Sequence, residues 1–236
     1  ERLAAQLATV HGIAPELIRF ADGAVAVGGK LLPWREVVSA AYAARISLSA
    51  TGYYATPKIH WDRARLQGRP FFYYAWGAAV AEVAIDTLTG ETRLLRVDIL
   101  HDAGRSLNPA LDLGQIEGGF LQGVGWLTCE ELWWSERGEL KTRAPSTYKI
   151  PTARDWPAIA RIRLLADAAN AEDSIHGAKA VGEPPLMLAI AVFHAIRDAV
   201  ASCGQPGALP VLRAPATPEA VLAAIDSMQT PPALPA

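Results

Sequence analysis

Five glycines fall within one short helical stretch, Gly114-Gln115-Ile116-Glu117-Gly118-Gly119-Phe120-Leu121-Gln122-Gly123-Val124-Gly125, and they restrict what the chain can become. Each glycine costs a helix about 1 kcal/mol relative to alanine, so this helix needs a compensating contact. Its start is clearly marked: Asn108 can cap the first turn, and Pro109 supplies a preset φ at the first helical position. Gly114, Gly118 and Gly125, with Gly119 and Gly123 close by, offer a bare face that a second backbone or a planar cofactor can approach. Gln115 and Gln122 fall on one side of the same helix. Backbone packing with solvent-facing glutamines and cofactor approach both fit this pattern. Neither G-x-G-x-x-G nor G-x-x-x-x-G-K-[ST] occurs, so the stretch is not a phosphate loop.

A second stretch, Lys179-Ala180-Val181-Gly182-Glu183-Pro184-Pro185, puts one carboxylate where a loop becomes an apolar helix. Two prolines suit a first helical turn, where the missing amide hydrogen has no partner anyway. The free amides of that turn attract a negative charge. Glu183 therefore reads either as a helix cap or, set among Ala180, Val181 and Leu186, as a general base.

The remaining pattern is α+β, with helices packed on mostly antiparallel sheets in two-layer lobes. Residues 1–48 read as helix, short strands broken at Gly23 and Gly28-Gly29, then a helix opened by Pro33-Trp34 with Val37, Val38, Ala41 and Ala44 inward. Phe71 to Asp86 and Thr92 to Leu100 read as an antiparallel pair joined by Thr87-Leu88-Thr89-Gly90. Cys129 to Leu140 reads as a strand, with Trp133 and Trp134 as core or interface anchors. Ile159 to Leu165 alternates as a strand. A helix follows from Pro184 to Gly204, then a short strand near Val211 and a last helix from Thr217-Pro218 through Ile225. The domain is expected to span 1–228, with a frayed, proline-rich tail at 229–236.

Composition narrows the function classes. A net charge of −2 over 236 residues leaves no electrostatic footprint for nucleic acid or an anionic membrane. Cys129 and Cys203 form neither a metal-ligand spacing nor a disulfide framework, which suits a reducing compartment such as the cytoplasm. No uninterrupted apolar run of spanning length occurs, and no export leader. The chain begins without Met and already in helix, so it is expected to be a piece of a longer protein. Ser106, His101 and Asp102 are sequence neighbours outside any G-x-S-x-G, which argues against a hydrolase triad. His60 has no second ligand at metal spacing.

Five motifs in order carry a resemblance: Ser47-Leu48-Ser49-Ala50-Thr51-Gly52-Tyr53-Tyr54, Asp102 to Pro109, Gly114 to Gly118, Pro145 to Pro151 and Lys179 to Pro185. Together they resemble the molybdenum hydroxylase family, and within it the molybdopterin-binding subunit of the bacterial xanthine dehydrogenases, of which this would be the C-terminal part. The resemblance implies a molybdenum-molybdopterin cofactor and a general base, Glu183, that takes the proton of a metal-bound hydroxyl as its oxygen attacks an electron-poor ring carbon of xanthine or hypoxanthine. It implies that Gln115 hydrogen-bonds the pterin and that the backbone of Lys179, Ala180, Val181 and Gly182 runs along the cofactor. It implies that no side chain of this chain ligates the metal. Electrons would leave through 2Fe-2S clusters to FAD and NAD in a partner subunit, within a dimer of heterodimers. The substrate-clamping residues and the cluster cysteines are expected outside this chain. Aldehyde or N-heterocycle oxidation shares the same chemistry, and a scaffold or dimerisation module in which Glu183 only caps a helix is the alternative of a different class.

Overall fold

The structure, a computed structural model, describes residues 1–229; beyond Gln229 the expected tail lies outside the described residues. The chain divides into two compact units, Glu1–Pro57 and Lys58–Ala236.

In the first unit α1 (Arg2–His11) ends on Gly12, whose φ of 66° closes the helix in the left-handed conformation. The strands β1 (Arg19–Ala21), β2 (Ala24–Val27) and β3 (Lys30–Pro33) make an antiparallel meander, followed by α2 (Trp34–Ala43). Alternation along β2 turns Val25 and Val27 inward against Leu7, Ile18 and Val37. Ala44, expected inward, is the exposed residue at the end of α2. Residues 46–57 carry the Ser47 to Tyr54 motif and contain neither helix nor strand.

The second unit opens with a short hairpin, β4 (His60–Asp62) with β5 (Gln67–Arg69). Then β6 (Gly77–Ile85) and β7 (Thr92–His101) pair antiparallel from Gly77↔His101 to Ile85↔Thr92. The expected strand from Phe71 is shorter than its β propensity implied because β7 ends opposite Gly77. Phe71 and Trp76 instead each pack against Tyr74, edge-to-face and tilted, with ring centroids 5.7 and 5.8 Å apart. Next come α3 (Pro109–Thr128) and β8 (Ile159–Leu164), which pairs parallel to β7 from Arg96↔Ile159 to His101↔Leu164. A parallel neighbour requires a long crossover, and residues 102–158, including α3, supply it. The 3₁₀ helix Pro184–Ala189 runs into α4 (Ile190–Ala201), and α5 (Pro218–Gln229) follows.

Residues one helical turn apart build the core: Ile116, Phe120 and Val124 on α3, and Val192, Ile196 and Val200 on α4, against Val97 and Ile99 of β7 and Val221 and Ile225 of α5. The architecture is the expected α+β one. Pro184–Ala201 has the length and mean hydropathy, 1.4, of a membrane span, but it carries Arg197 and Asp198, and its packing on β6 and α3 accounts for its apolar positions. Cys129 to Leu140 forms only the bridge Trp134↔Leu140 around a turn at Gly138, because no strand runs beside it, and Trp133 and Trp134 are exposed rather than core. No strand forms near Val211.

The segment between β8 and the 3₁₀ helix is tied down by Glu172, which accepts from Lys58 Nζ at 2.7 Å and from Arg69. The Lys58 and Arg69 hydrogen bonds hold its carboxyl below the ordinary value of 4.5. A depressed carboxylate stabilises the fold above the unfolded value, and that contribution disappears as pH falls through the lowered one. Glu172→Gln is therefore expected to lower the unfolding temperature at neutral pH. The gap from the parent protein should close progressively below pH ~4.5, measured by thermal scans across pH.

Candidate functional site

Parallel pairing puts the carboxyl ends of β7 and β8 side by side, at His101 and Leu164, and the chain leaving each strand builds the site. From β7 comes the turn 102–105, then Asn108, whose Oδ1 accepts from Leu111 N at 3.3 Å to cap α3. From β8 the chain loops to Lys179 and Glu183.

These two segments are joined backbone to backbone. Lys179 N–H donates to Ala103 O and Arg105 N–H to Gly177 O, both at 2.9 Å, and Gly104 bridges Ala178. Gly104 has a φ of 61°, and a Cβ there would lie 2.5 Å from Gly177 O, so only glycine admits this crossing. The Lys179 side chain turns away from solvent to the Asp102 carboxylate, Nζ to Oδ2 at 2.5 Å, and both side chains are buried. Asp102 Oδ1 also accepts from Gly104 N at 2.8 Å. His101 is buried beside Gly77 and Leu188, with neither ring nitrogen hydrogen-bonded to protein among the described residues. Burial pushes its imidazole below the ordinary value, outweighing the pull of Asp102.

The glycine-rich helix divides its work between two faces. Gly119 and Gly123 face the 3₁₀ helix: a Cβ at Gly123 would lie 2.3 Å from Leu186 O, and one at Gly119 3.1 Å from Pro185 Cβ. Gly125 is pressed against Pro151, whose loop is held by Tyr148 Oη donating to Glu130 at 2.6 Å. Gly114 and Gly118 instead face open space, as does Gly182. Close packing is thus the role of Gly119, Gly123 and Gly125, while Gly114 and Gly118 leave a bare face.

Glu183 stands at the start of the 3₁₀ helix, and its side chain makes no capping hydrogen bond. It is exposed, as is Ala180, so the apolar surroundings expected for it are not provided by this chain. Gln122, Gly182 and Glu183 line a surface pocket of about 530 Å³ with Pro184, Leu186 and Met187. Gln115 is exposed about 10 Å along the helix toward its N-terminus, outside that pocket. Gln122 is thus the glutamine nearer Glu183, which its sequence spacing alone did not reveal. Ala180 N–H donates to Tyr73 Oη at 3.1 Å. The amides of Val181, Gly182 and Glu183 donate to no protein acceptor among the described residues.

The surface therefore presents free backbone amides, two side-chain amides and a bare helix face beside one carboxylate. That donor set and that open space fit a flat, polar cofactor. No cluster of metal-ligating side chains occurs among the described residues.

Fold and site together define a cofactor-binding domain, and the chain belongs to the molybdopterin cofactor-binding domain family, whose profile matches residues 1–157. It is 50 % identical over 194 residues to the xanthine dehydrogenase/oxidase of Felis catus, covering 80 % of this chain and 14 % of that protein. Among solved structures it resembles quinoline 2-oxidoreductase from Pseudomonas putida 86, with a TM-score of 0.60 and 32 % identity over 96 % of this chain and 28 % of that one. It also resembles the aldehyde oxidoreductase of Desulfovibrio gigas, with a TM-score of 0.61 and 29 % identity over 84 % of this chain and 20 % of that one. The chain thus spans a small part of each protein it matches.

Proposed function

We propose that this chain is the C-terminal part of the molybdenum-cofactor-binding subunit of a xanthine dehydrogenase, which hydroxylates hypoxanthine and xanthine to uric acid. The observation that carries the reading is the exposed, uncapped Glu183 beside the free amides and the bare face of α3. Identity to a xanthine dehydrogenase/oxidase supports the substrate class over the aldehyde and quinoline enzymes, which are less similar in sequence.

The molybdenum cofactor supplies, when bound, the two-electron oxidation and the oxygen-transfer chemistry. Gln115, Gln122 and the amides of Val181 and Gly182 would hold the pterin by hydrogen bonds, the backbone of Lys179 and Ala180, whose amides go to Ala103 O and Tyr73 Oη, would run along it, and Gly114 and Gly118 would leave it room. Glu183 accepts at its carboxylate the proton of the oxygen nucleophile, the work of a general base. Substrate-clamping residues and the walls that exclude water come from the rest of the protein. The full enzyme works in the cytoplasm with an electron-transfer subunit carrying 2Fe-2S clusters and FAD, passes electrons to NAD, and assembles as a dimer of heterodimers.

The test uses the whole enzyme. Gln115→Ala and Gly118→Val are each expected to lower the molybdenum-to-protein ratio several-fold with folding intact, since both residues face open space. An unchanged ratio in both variants removes α3 from the cofactor site. Turnover of xanthine over aldehydes and N-heterocycles by the parent enzyme supports the purine assignment, and the reverse preference moves the chain to the aldehyde or N-heterocycle branch.

A further inference from the structure

We infer that the buried Asp102–Lys179 ion pair is a positioning device for Glu183. The inference rests on the reading of Glu183 as the base. Residues 181–183 form a short span whose backbone amides donate to no protein acceptor among the described residues. One end of that span is the 3₁₀ helix, seated on Gly119 and Gly123 of α3. The other end is Lys179, and what fixes it is the end of β7.

Backbone bonds from Lys179 N to Ala103 O and from Arg105 N to Gly177 O set the crossing, and Ala180 N to Tyr73 Oη extends it. The ion pair then locks it. Lys179 Nζ and Asp102 Oδ2 are 2.5 Å apart with side chains 8 % and 7 % exposed, so neither charge can find water as an alternative partner. Asp102 is itself oriented from two sides, accepting from Gly104 N through its other oxygen and donating its own amide to Trp76 O at 2.7 Å. A buried charge pair contributes little net stability compared with apolar residues of the same volume, but it tolerates only one arrangement of its two segments. Here the arrangement it fixes is the distance from the rigid end of β7 to a carboxylate four residues beyond Lys179. Misplacing a catalytic group by about an ångström costs roughly a hundredfold in rate. The Lys179 side chain therefore serves Glu183 from behind rather than facing the cofactor.

The experiment compares Lys179→Met, Lys179→Arg and the double variant Asp102→Asn/Lys179→Met in the complete enzyme. Xanthine kcat, KM, molybdenum content and unfolding temperature are measured on each. Lys179→Met strands a buried carboxylate and should lose thermal stability, which the double variant should recover because no lone charge remains. The expected result is that kcat stays roughly a hundredfold low in the double variant, with KM and molybdenum content near parental values, and that Lys179→Arg restores most of the lost kcat. If kcat returns with stability in the double variant, or if the Arg variant is as slow as the Met variant, the pair is only a structural tie and the inference is overturned. Parental kcat in Lys179→Met overturns it as well. Glu183→Gln separates the two claims: if that enzyme still turns over, the base assignment itself falls, whereas an inactive Glu183→Gln beside fully active pair variants sinks the positioning role alone.

Discussion

Glu183→Gln in the complete enzyme is expected to lower kcat by about four orders of magnitude while the molybdenum-to-protein ratio stays at the parental value. General-base catalysis alone is worth about two to four orders, and the amide cannot take up the proton and puts a donor where one carboxylate oxygen accepted, which also disturbs the positioning of the nucleophile. The structure makes the substitution clean. Glu183 is exposed, caps nothing with its side chain, and has no ion-pair partner within 4.0 Å among the described residues. Glutamine matches its size, so folding and cofactor retention have no reason to change. A large loss with metal retained therefore reports chemistry. Retained turnover with metal in place would return Glu183 to the start of a 3₁₀ helix with no further role.

Gly123→Ala is expected to destabilise the protein, whereas the same methyl group at Gly118 is not. The new Cβ would lie 2.3 Å from Leu186 O and 2.7 Å from Ala189 Cβ, both fixed parts of the 3₁₀ helix. Alanine gains about 1 kcal/mol over glycine in helix propensity. Overpacking typically costs about 1–3 kcal/mol, and a clash with backbone falls at the upper end because no rotamer change relieves it. The net sign is destabilising, and relief requires the Glu183-bearing segment to move away from α3. Chemical unfolding of the complete enzyme, with turnover read in parallel, checks this. Gly118→Ala is the control, since it adds the same methyl group in open space. Equal stability of the two variants would mean that the α3 contact is not close.

Much of this was legible in the residues. Asn108-Pro109 announced the start of α3, and the Thr87 to Gly90 turn between alternating runs announced β6 and β7, because caps and turns are written in local chemistry. The glycines of α3 announced a close approach without saying to what. Only tertiary structure assigns Gly119 and Gly123 to the 3₁₀ helix and leaves Gly114 and Gly118 open. The same limit explains the strand that Cys129 to Leu140 does not form: β propensity has no effect where no neighbouring strand offers a ladder. It also explains Lys179, whose partner Asp102 is 77 residues away. Pro184-Pro185 correctly marked a helix start, but the first six residues are 3₁₀ and the α-helix begins only at Ile190.

That last feature sets how the site breathes. β7 is the central strand of its sheet, bonded on both sides to β6 and β8, so the turn that grips Lys179 hangs from a strand paired along both edges. Glu183 hangs on its other side from 3₁₀ hydrogen bonds, whose geometry is poorer than that of an α-helix. Local opening therefore costs less free energy at Pro184–Ala189 than at His101. Glu183 thus stands between two anchors of unequal strength, and the strand at the other end of the segment is the firmer one.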